Sequence, residues 1–227
     1  MKVNTYFLLV AISIGFVTTS FGQPRKYDIT NGIGIGAGIT QFDITTDNFI
    51  TKQESGFLGS MLASVDLPHR WYNMSFGMQL SENNISISAR PTSISTEEEF
   101  IKYKMFAAQI ALLAHIKLAG NYFTIDVGPM LQYNGKLEIK DKTQETYIIN
   151  NYDNLTATDI TKISQFNFNG AVGASAGIKN FKLKAQYIYG FTNILKKLEN
   201  QNYDTSGGDS RFKGNQAMLV LGALFSF

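Results

Sequence analysis

The sequence contains no cysteine, which excludes disulfide bonds and any metal site or nucleophile that depends on a thiolate. It contains only two histidines, His69 and His115, and neither has a serine or carboxylate at a spacing typical of a catalytic triad. Its 20 basic and 18 acidic residues nearly cancel, and no basic run suggests a nucleic-acid footprint. We therefore expect no catalytic residue, no cofactor, no metal ion and no nucleic-acid partner.

The sequence also lacks an apolar run that reaches the roughly 18 residues a membrane-spanning helix needs. Its longest such run, YFLLVAISIGFV at 6–17, is shorter than that and follows Lys2. Ser20 and Gly22 place small residues three and one positions before the bond to Gln23, as in a signal-peptidase site. The sequence therefore predicts a secretory signal peptide at 1–22, cleaved after Gly22, and one domain at 23–227. A buried N-terminal helix is the alternative interpretation.

Glycine (20), phenylalanine (17) and tyrosine (11) are abundant, and this composition favours strands and turns. The last segment, RFKGNQAMLVLGALFSF at 211–227, places an apolar residue at every second position up to the terminal phenylalanine. Seven earlier segments alternate in the same way, which is the period of a β-strand. The predicted strands are 27–45, 56–67, 71–80, 100–118, 122–136, 162–178, 181–193 and 211–227.

The connections between these segments alternate between long polar loops and tight turns, the turns lying at 68–70, 119–121 and 179–180. Short periplasmic turns and longer external loops are typical of antiparallel barrels in bacterial outer membranes. An even number of strands places both termini on the periplasmic side. The sequence thus predicts an all-β fold, an eight-stranded antiparallel transmembrane β-barrel, in the outer membrane of a Gram-negative bacterium.

The bulky apolar face of each strand is predicted to point outward. This face carries no charge along its centre, where a lysine or arginine would cost about 2–4 kcal/mol in a bilayer. The opposite face is rich in glycine, serine, asparagine and glutamine, which fit the narrow interior of eight strands. A soluble barrel with its apolar face inside, as in lipocalins, is the alternative. Proline cannot donate to a strand ladder, so Gly128-Pro129 predicts a bulge or a local break in the fifth strand.

Two short strand motifs carry a resemblance to a known family. VGPMLQY at 127–133 and QYIYGFTNI at 186–194 resemble recurring motifs of the PorT-like outer-membrane β-barrel family of Bacteroidota, and the signal peptide ending at Gly22 is similar too. The resemblance covers the layout of the whole exported chain. It implies a barrel fold and, from the named members of that family, a role in type IX protein secretion. It implies no catalytic residues.

Four charged residues are predicted to face the barrel interior near its periplasmic end: Asp66, Asp126, Lys182 and Lys184. A charge in a narrow, largely dry interior needs a partner. We therefore expect Lys182 or Lys184 to pair with Asp126 or Asp66 as an internal plug. Solvated side chains at the mouth of the barrel are the alternative.

The terminal residues Phe225 and Phe227 are predicted to form a C-terminal signal that barrel-assembly machinery reads. The expected function is that of a non-catalytic integral outer-membrane protein with a structural or accessory role, linked to type IX secretion through the resemblance. The alternatives are a binding or adhesion module that uses the loops at 81–99 and 137–161, and, third, a small-solute pore. Outer-membrane lipid and lipopolysaccharide are the expected partners, and a secretion-system or surface partner remains open.

Overall fold

The computed structural model describes residues 30–178 and 180–227, which form ten β-strands, two 3-10 turns and one helical turn. The predicted signal peptide at 1–22 and the first residues of the first predicted strand lie outside this range. No helix in the described ranges has the length and apolar character needed to cross a membrane. The strands are β1 (Thr30–Thr45), β2 (Thr51–Asp66), β3 (Tyr72–Arg90), β4 (Glu99–Ala119), β5 (Phe123–Asn134), β6 (Glu138–Ile139), β7 (Ile148–Ile149), β8 (Phe166–Gly177), β9 (Phe181–Gly190) and β10 (Asn215–Ser226).

Eight long strands of the described chain form one closed antiparallel ring. Each pairs with its neighbour in the chain, except that β5 pairs with β8 across the long loop that holds β6 and β7. The ring is closed by β1 and β10, which pair without a break from Gly34 opposite Ser226 to Thr45 opposite Asn215. Closure removes the free edges that an open sheet would expose. The predicted eight-stranded barrel is confirmed, and the C-terminal strand is the one that closes it.

The outer surface of the barrel is apolar. Along the barrel strands, apart from the outer part of β3, the outward residues at alternate positions are exposed or half-buried, and most of these are bulky hydrophobic side chains. Their counterparts on the other face are buried inside the ring, as the sequence predicted. Such a belt requires a lipid environment, because the free energy of exposing apolar surface to water is roughly 25 cal/mol per Å². The belt includes Ile33, Ile35, Phe57, Met61, Phe76, Met78, Phe106, Ile110, Leu131, Tyr133, Phe166, Val172, Leu183, Tyr187 and Leu221.

The third strand is longer than the sequence predicted. The segment 81–99 was expected to be a polar loop, but β3 continues to Arg90 and pairs with β4 up to Ala89 opposite Glu99. The polar residues of this extension are covered by other parts of the chain: Ser86 donates a hydrogen bond to Glu54 (2.9 Å), and Asn150 donates one to Ser88 (2.6 Å). The polar composition of 81–90 therefore predicted a loop where the chain forms a strand, because other parts of the chain cover its polar side chains.

Gly128-Pro129 interrupts one ladder but not the strand. The pairing of β5 with β4 is missing between Met130 and Val127, yet the register on either side of the gap is the same, so there is no bulge at this point. The pairing of β5 with β8 runs through both residues. A Cβ on Gly128 would lie 1.9 Å from the carbonyl oxygen of Leu112, so only glycine allows this close approach of the two strands.

The outer end of the barrel is closed by folded loops. The segments at 135–165 and 191–214 contribute a hydrophobic core that packs on the inward side chains of β1, β3 and β4. Three rings lie together at its centre, Phe49, Tyr152 and Phe212, with centroids 6.0–6.1 Å apart. The hydroxyl of Tyr103 donates to the carbonyl oxygen of Ala157 (3.1 Å), which ties this core to β4. We call these two loop segments the outer cap.

Candidate functional site

The candidate site is the interior of the barrel, which changes in chemistry along its axis. The outer end is apolar and belongs to the outer cap. Below it lies a cluster of side-chain amides, and below that a cluster of charged and hydroxyl groups near the short turns. The two lower levels are built by the inward positions of the strands, which alternate with the lipid-facing positions.

The amide cluster is centred on Gln132 of β5. Its side-chain oxygen accepts hydrogen bonds from Gln109 (2.6 Å), Asn169 (2.7 Å) and Gln216 (2.8 Å). Its nitrogen donates to Gln216 (2.8 Å) and to Asn134. These residues come from β4, β5, β8 and β10, so the network joins opposite sides of the ring and fills the middle of the interior. Each of these side chains is buried, and Gln132 is bonded through both its oxygen and its nitrogen, whereas the oxygens of Gln109 and Asn169 have no protein partner.

The charged cluster is centred on Asp126, which is 0% exposed. His115 Nδ1 lies 2.7 Å from one carboxylate oxygen, and Thr124 Oγ1 donates to the same oxygen at 2.8 Å. Ser175 donates to the other oxygen. On its far side, His115 Nε2 lies 2.7 Å from Ser75 Oγ. Since the carboxylate can only accept, the Nδ1 nitrogen of the imidazole is the donor in its bond to Asp126.

Ser75, His115 and Asp126 therefore have the connectivity of a serine-hydrolase triad. The sequence-based expectation that His115 lacks a paired serine and carboxylate was wrong. The partner could have been found from the hairpin alone: β4 and β5 join at the turn 119–122, and counting back equally from it places His115 opposite Asp126, as observed. Ser75 lies on β3, which pairs with β4 on the side opposite β5. The connection between β3 and β4 is long, so it does not fix their register from the sequence.

The environment of this triad does not suit hydrolysis of a substrate. Ser75 is only 4% exposed, and the adjacent cavity, lined by Ser75, Gln79, Lys184 and Gln186, measures about 40 Å³. That is room for a few water molecules and not for an ester or peptide. Gln79 Oε1 and Gln186 Nε2 have no protein partner, so water in this cavity would satisfy them. We assign the Ser75–His115–Asp126 chain a structural role.

The interior carboxylates pair with partners other than the predicted lysines. Asp66 pairs with Lys117 (3.2 Å) and also accepts from Asn121 (2.8 Å), while Asp126 pairs with His115. Among the described residues, neither Lys182 nor Lys184 takes part in an ion pair. The alternation on β4 places Lys117 and His115 on the inward face, nearer to these carboxylates. Lys184 remains inside, at the wall of the cavity.

The described residues contain no candidate metal site. Among them, no three histidine, aspartate or glutamate side chains lie close enough together to hold an ion. Asp126 is already surrounded by hydrogen-bond donors from the protein.

The C-terminal aromatic residues lie on the outer surface at the end with the short turns. Phe227 is 71% exposed, and its ring contacts that of Phe225 edge-on, with centroids 5.1 Å apart. The backbone N–H of Phe227 donates to the carbonyl oxygen of Ile33 (2.8 Å), so the ladder with β1 extends to the last residue. Both rings are thus held on the lipid-facing side of the closing strand.

No protein-family model matches this chain, and no curated protein matches it. Among solved structures, it is similar to Neisserial surface protein A, with 10% identity and a TM-score of 0.45 over 88% of this chain and 100% of the other. It is also similar to Ail, the attachment invasion locus protein of Yersinia pestis, solved with a heparin analogue, with 12% identity and a TM-score of 0.45 over 87% and 99%. Similarities this distant carry no argument about function, which is therefore argued from the chain's own geometry.

Proposed function

We propose that this protein is an integral outer-membrane barrel of a Gram-negative bacterium with a structural or accessory role and no catalytic activity. One observation on β4 carries the proposal. In the lower part of this strand the outward residues are apolar, such as Phe106 and Ile110, and the inward residue Gln109 is polar. Beyond Phe106 the next two outward residues are Lys104 and Lys102, while the inward residues Met105, Tyr103 and Ile101 are fully buried and apolar. A strand that leaves lipid and enters water is expected to invert in this way, whereas a soluble barrel keeps its apolar face inside along its whole length.

The filled interior supports a role that does not depend on transport. The amide cluster around Gln132 and the outer cap close the lumen at two separate levels. The exposed Phe225 and Phe227 on the closing strand suit recognition by barrel-assembly machinery during insertion. The resemblance to the PorT-like family, carried by the motifs at 127–133 and 186–194, makes type IX secretion the accessory role that we propose.

Two experiments test these levels separately. Membrane fractionation combined with heat-modifiable gel mobility tests the location: we expect the protein in the outer-membrane fraction, with a faster-migrating folded form before boiling. A soluble protein whose mobility does not change on boiling would overturn the proposal. Deletion of the gene and comparison of the secreted proteins tests the accessory role, and normal secretion would remove the type IX link while leaving the location intact.

A second candidate function is binding of a surface ligand or partner by the outer cap. The observation that favours it is the internal core of the cap: Asn48 donates from its side chain to the Tyr152 hydroxyl (3.1 Å), Arg90 donates to the Tyr152 carbonyl oxygen (2.8 Å), and Leu198 is fully buried. Loops built in this way hold one surface shape, as a specific binding surface requires. Exchange of 135–165 for a short turn should abolish adhesion or ligand binding; unchanged binding would exclude this role.

A further inference from the structure

An aromatic girdle marks the outer border of the lipid-facing belt. Phe57, Glu82 and Phe106 lie side by side on β2, β3 and β4, and Tyr133 lies opposite Phe166 on β5 and β8. The rings of Tyr133 and Phe166 contact edge-on, with centroids 5.0 Å apart. Aromatic residues are enriched at the boundary between acyl chains and headgroups. This girdle therefore locates the outer membrane–water interface on the barrel.

Four lysines lie together just above this girdle, on the outside of the barrel. Lys102 and Lys104 occupy successive outward positions of β4, and Lys140 follows β6 and lies opposite Lys102, to whose carbonyl oxygen its backbone N–H donates (2.9 Å). Lys52 of β2 is in register with Lys102 across one intervening strand. Its ammonium lies 5.8 Å from the ring centroid of Phe100, the outward neighbour of Lys102. We call Lys52, Lys102, Lys104 and Lys140 the lysine patch.

Most of the lysine patch is not paired with a carboxylate. Lys104 pairs with Glu138 (3.1 Å), and the nearby Glu54 accepts from Ser86. Among the described residues, Lys52, Lys102 and Lys140 form no ion pair. Because like charges opposite each other on neighbouring strands repel, Lys102 and Lys140 would be stabilised by an anion between them.

The height of the patch suits a lipid headgroup. Lys104 and Lys102 lie two and four residues beyond Phe106, about 7 and 13 Å along the strand at roughly 3.3 Å per residue. With strands tilted by about 35–45°, Lys104 and Lys102 lie roughly 5 and 10 Å above the girdle, within and just beyond the headgroup layer that flanks the hydrocarbon core, where long lysine side chains reach the headgroups. Phosphate groups of lipids occupy that layer. Lys104 also lies 5.6 Å from the ring centroid of Phe106, so its aliphatic stem follows the girdle and its ammonium reaches upward.

We propose that the lysine patch is a binding site for the phosphate groups of an anionic lipid in the outer leaflet. This inference rests on the proposed outer-membrane location. Each ammonium is a point charge that binds phosphate without a fixed geometry, so the patch selects for charge and depth. The bound lipid would brace β2, β4 and β6 on the outside, at the level where the outer cap packs on the same strands from the inside.

Binding of diphosphorylated lipid A to the refolded full chain in phosphatidylcholine nanodiscs, in the presence of EDTA, tests the proposal. The variant is K52Q/K102Q/K140Q, which leaves the Lys104–Glu138 pair in place. The control is K196Q/K197Q/K213Q, which removes the same charge from cap positions away from the lysine patch. Because each lysine near a charged surface adds to the attraction, we expect the patch variant, which lacks three, to bind on the order of a hundredfold more weakly. The control should stay within about twofold of the wild type, because charges beyond a Debye length are screened.

Three outcomes would overturn the site: wild-type binding by the patch variant, equal weakening by the control, or equal binding of lipid A from which both phosphates have been removed. Heat-modifiable mobility is scored on every sample before binding is measured. A wild-type chain that fails to insert would contradict the proposed membrane location. A chain that inserts but shows any of the three outcomes would contradict the lysine patch alone.

Discussion

Replacement of Asp126 by alanine tests whether the charged cluster holds the lower part of the barrel together. In the native protein this fully buried carboxylate accepts from His115 Nδ1, Thr124 Oγ1 and Ser175 Oγ, which lie on β4, β5 and β8. The alanine variant leaves three donors without their acceptor. It also removes a negative charge near Lys184, whose ammonium lies in the same interior.

The expected loss of stability follows from these contacts. A buried donor without its partner costs about 1–3 kcal/mol, and the Thr124 and Ser175 hydroxyls can recover part of that by rotating. Three hydrogen bonds to a buried carboxylate are lost together, so the cost is about 3–5 kcal/mol in all. We expect D126A to lower the free energy of unfolding by about 3–5 kcal/mol, and D126N, which keeps the shape and one acceptor, to lower it by less.

Urea unfolding of the refolded barrel in phosphatidylcholine vesicles, followed by gel mobility, measures this loss. The matched control is Asp47→Ala, which removes an exposed carboxylate from the loop between β1 and β2 and should change stability by less than about 0.5 kcal/mol. If D126A unfolds at the same urea concentration as the control, the cluster does not stabilise the barrel. A double variant with His115→Ala should lose less than the sum of the single losses, since each removes the same contact.

Four further predictions follow from the interior, the closing strand and the cap. Planar bilayers containing the wild-type protein should show no stepwise ion currents, because the amides and the cap fill the lumen; regular currents would favour a pore. Gln132→Ala should lower the free energy of unfolding by about 2–4 kcal/mol, since it leaves several buried amides unpaired; unchanged urea unfolding would show that they pair again without it. Removal of Phe227 should reduce outer-membrane levels more than it alters the fold of protein that does insert; undiminished levels would refute its role in assembly. Burial raises the pKa of Tyr152, opposed by the Asn48 hydrogen bond and assisted by Asp209. The neutral phenol therefore stabilises the folded cap below the usual pKa of about 10, and this stabilisation is lost as the pH rises through the raised pKa. Limited proteolysis should cut the cap of the wild-type protein faster as the pH rises across that range, and should cut the cap of Tyr152→Phe at a rate that changes less.

The barrel could be predicted from the sequence because its determinants are local. Strict alternation on 100–118 and 211–227 fixes which face of each strand meets lipid, and the tight turn at 119–121 fixes the register of β4 against β5. That register places His115 opposite Asp126, so this pair could be predicted from the sequence. The position of Lys117 followed from the same alternation.

The outer half could not be predicted in the same way, because its determinants are long-range. Residues 81–90 have a polar composition, which is typical of a loop. They form a strand because Ser86 and Ser88 are bonded to Glu54 and Asn150, which are distant in sequence. The cap contains two strands of only two residues each and two 3-10 turns, which are too short to show a period. The Gln132 cluster joins side chains up to 84 positions apart, and only the closed ring brings them together.

The construction of the cap bears on the choice between a structural role and a binding role. Three connections of the barrel are tight turns, so joining strands does not require long segments. The amide cluster already blocks the lumen below the cap, so closing a pore does not require them either. Yet 135–165 and 191–214 bury Tyr152, Leu198 and Phe212 almost completely and are bonded to β3 and to the β1–β2 loop. Ordering so many residues costs conformational entropy that only a packed core offsets. A fixed outer surface is what this core provides, so loss of adhesion or partner binding on loop exchange would make that surface the functional part of the protein and the barrel its anchor.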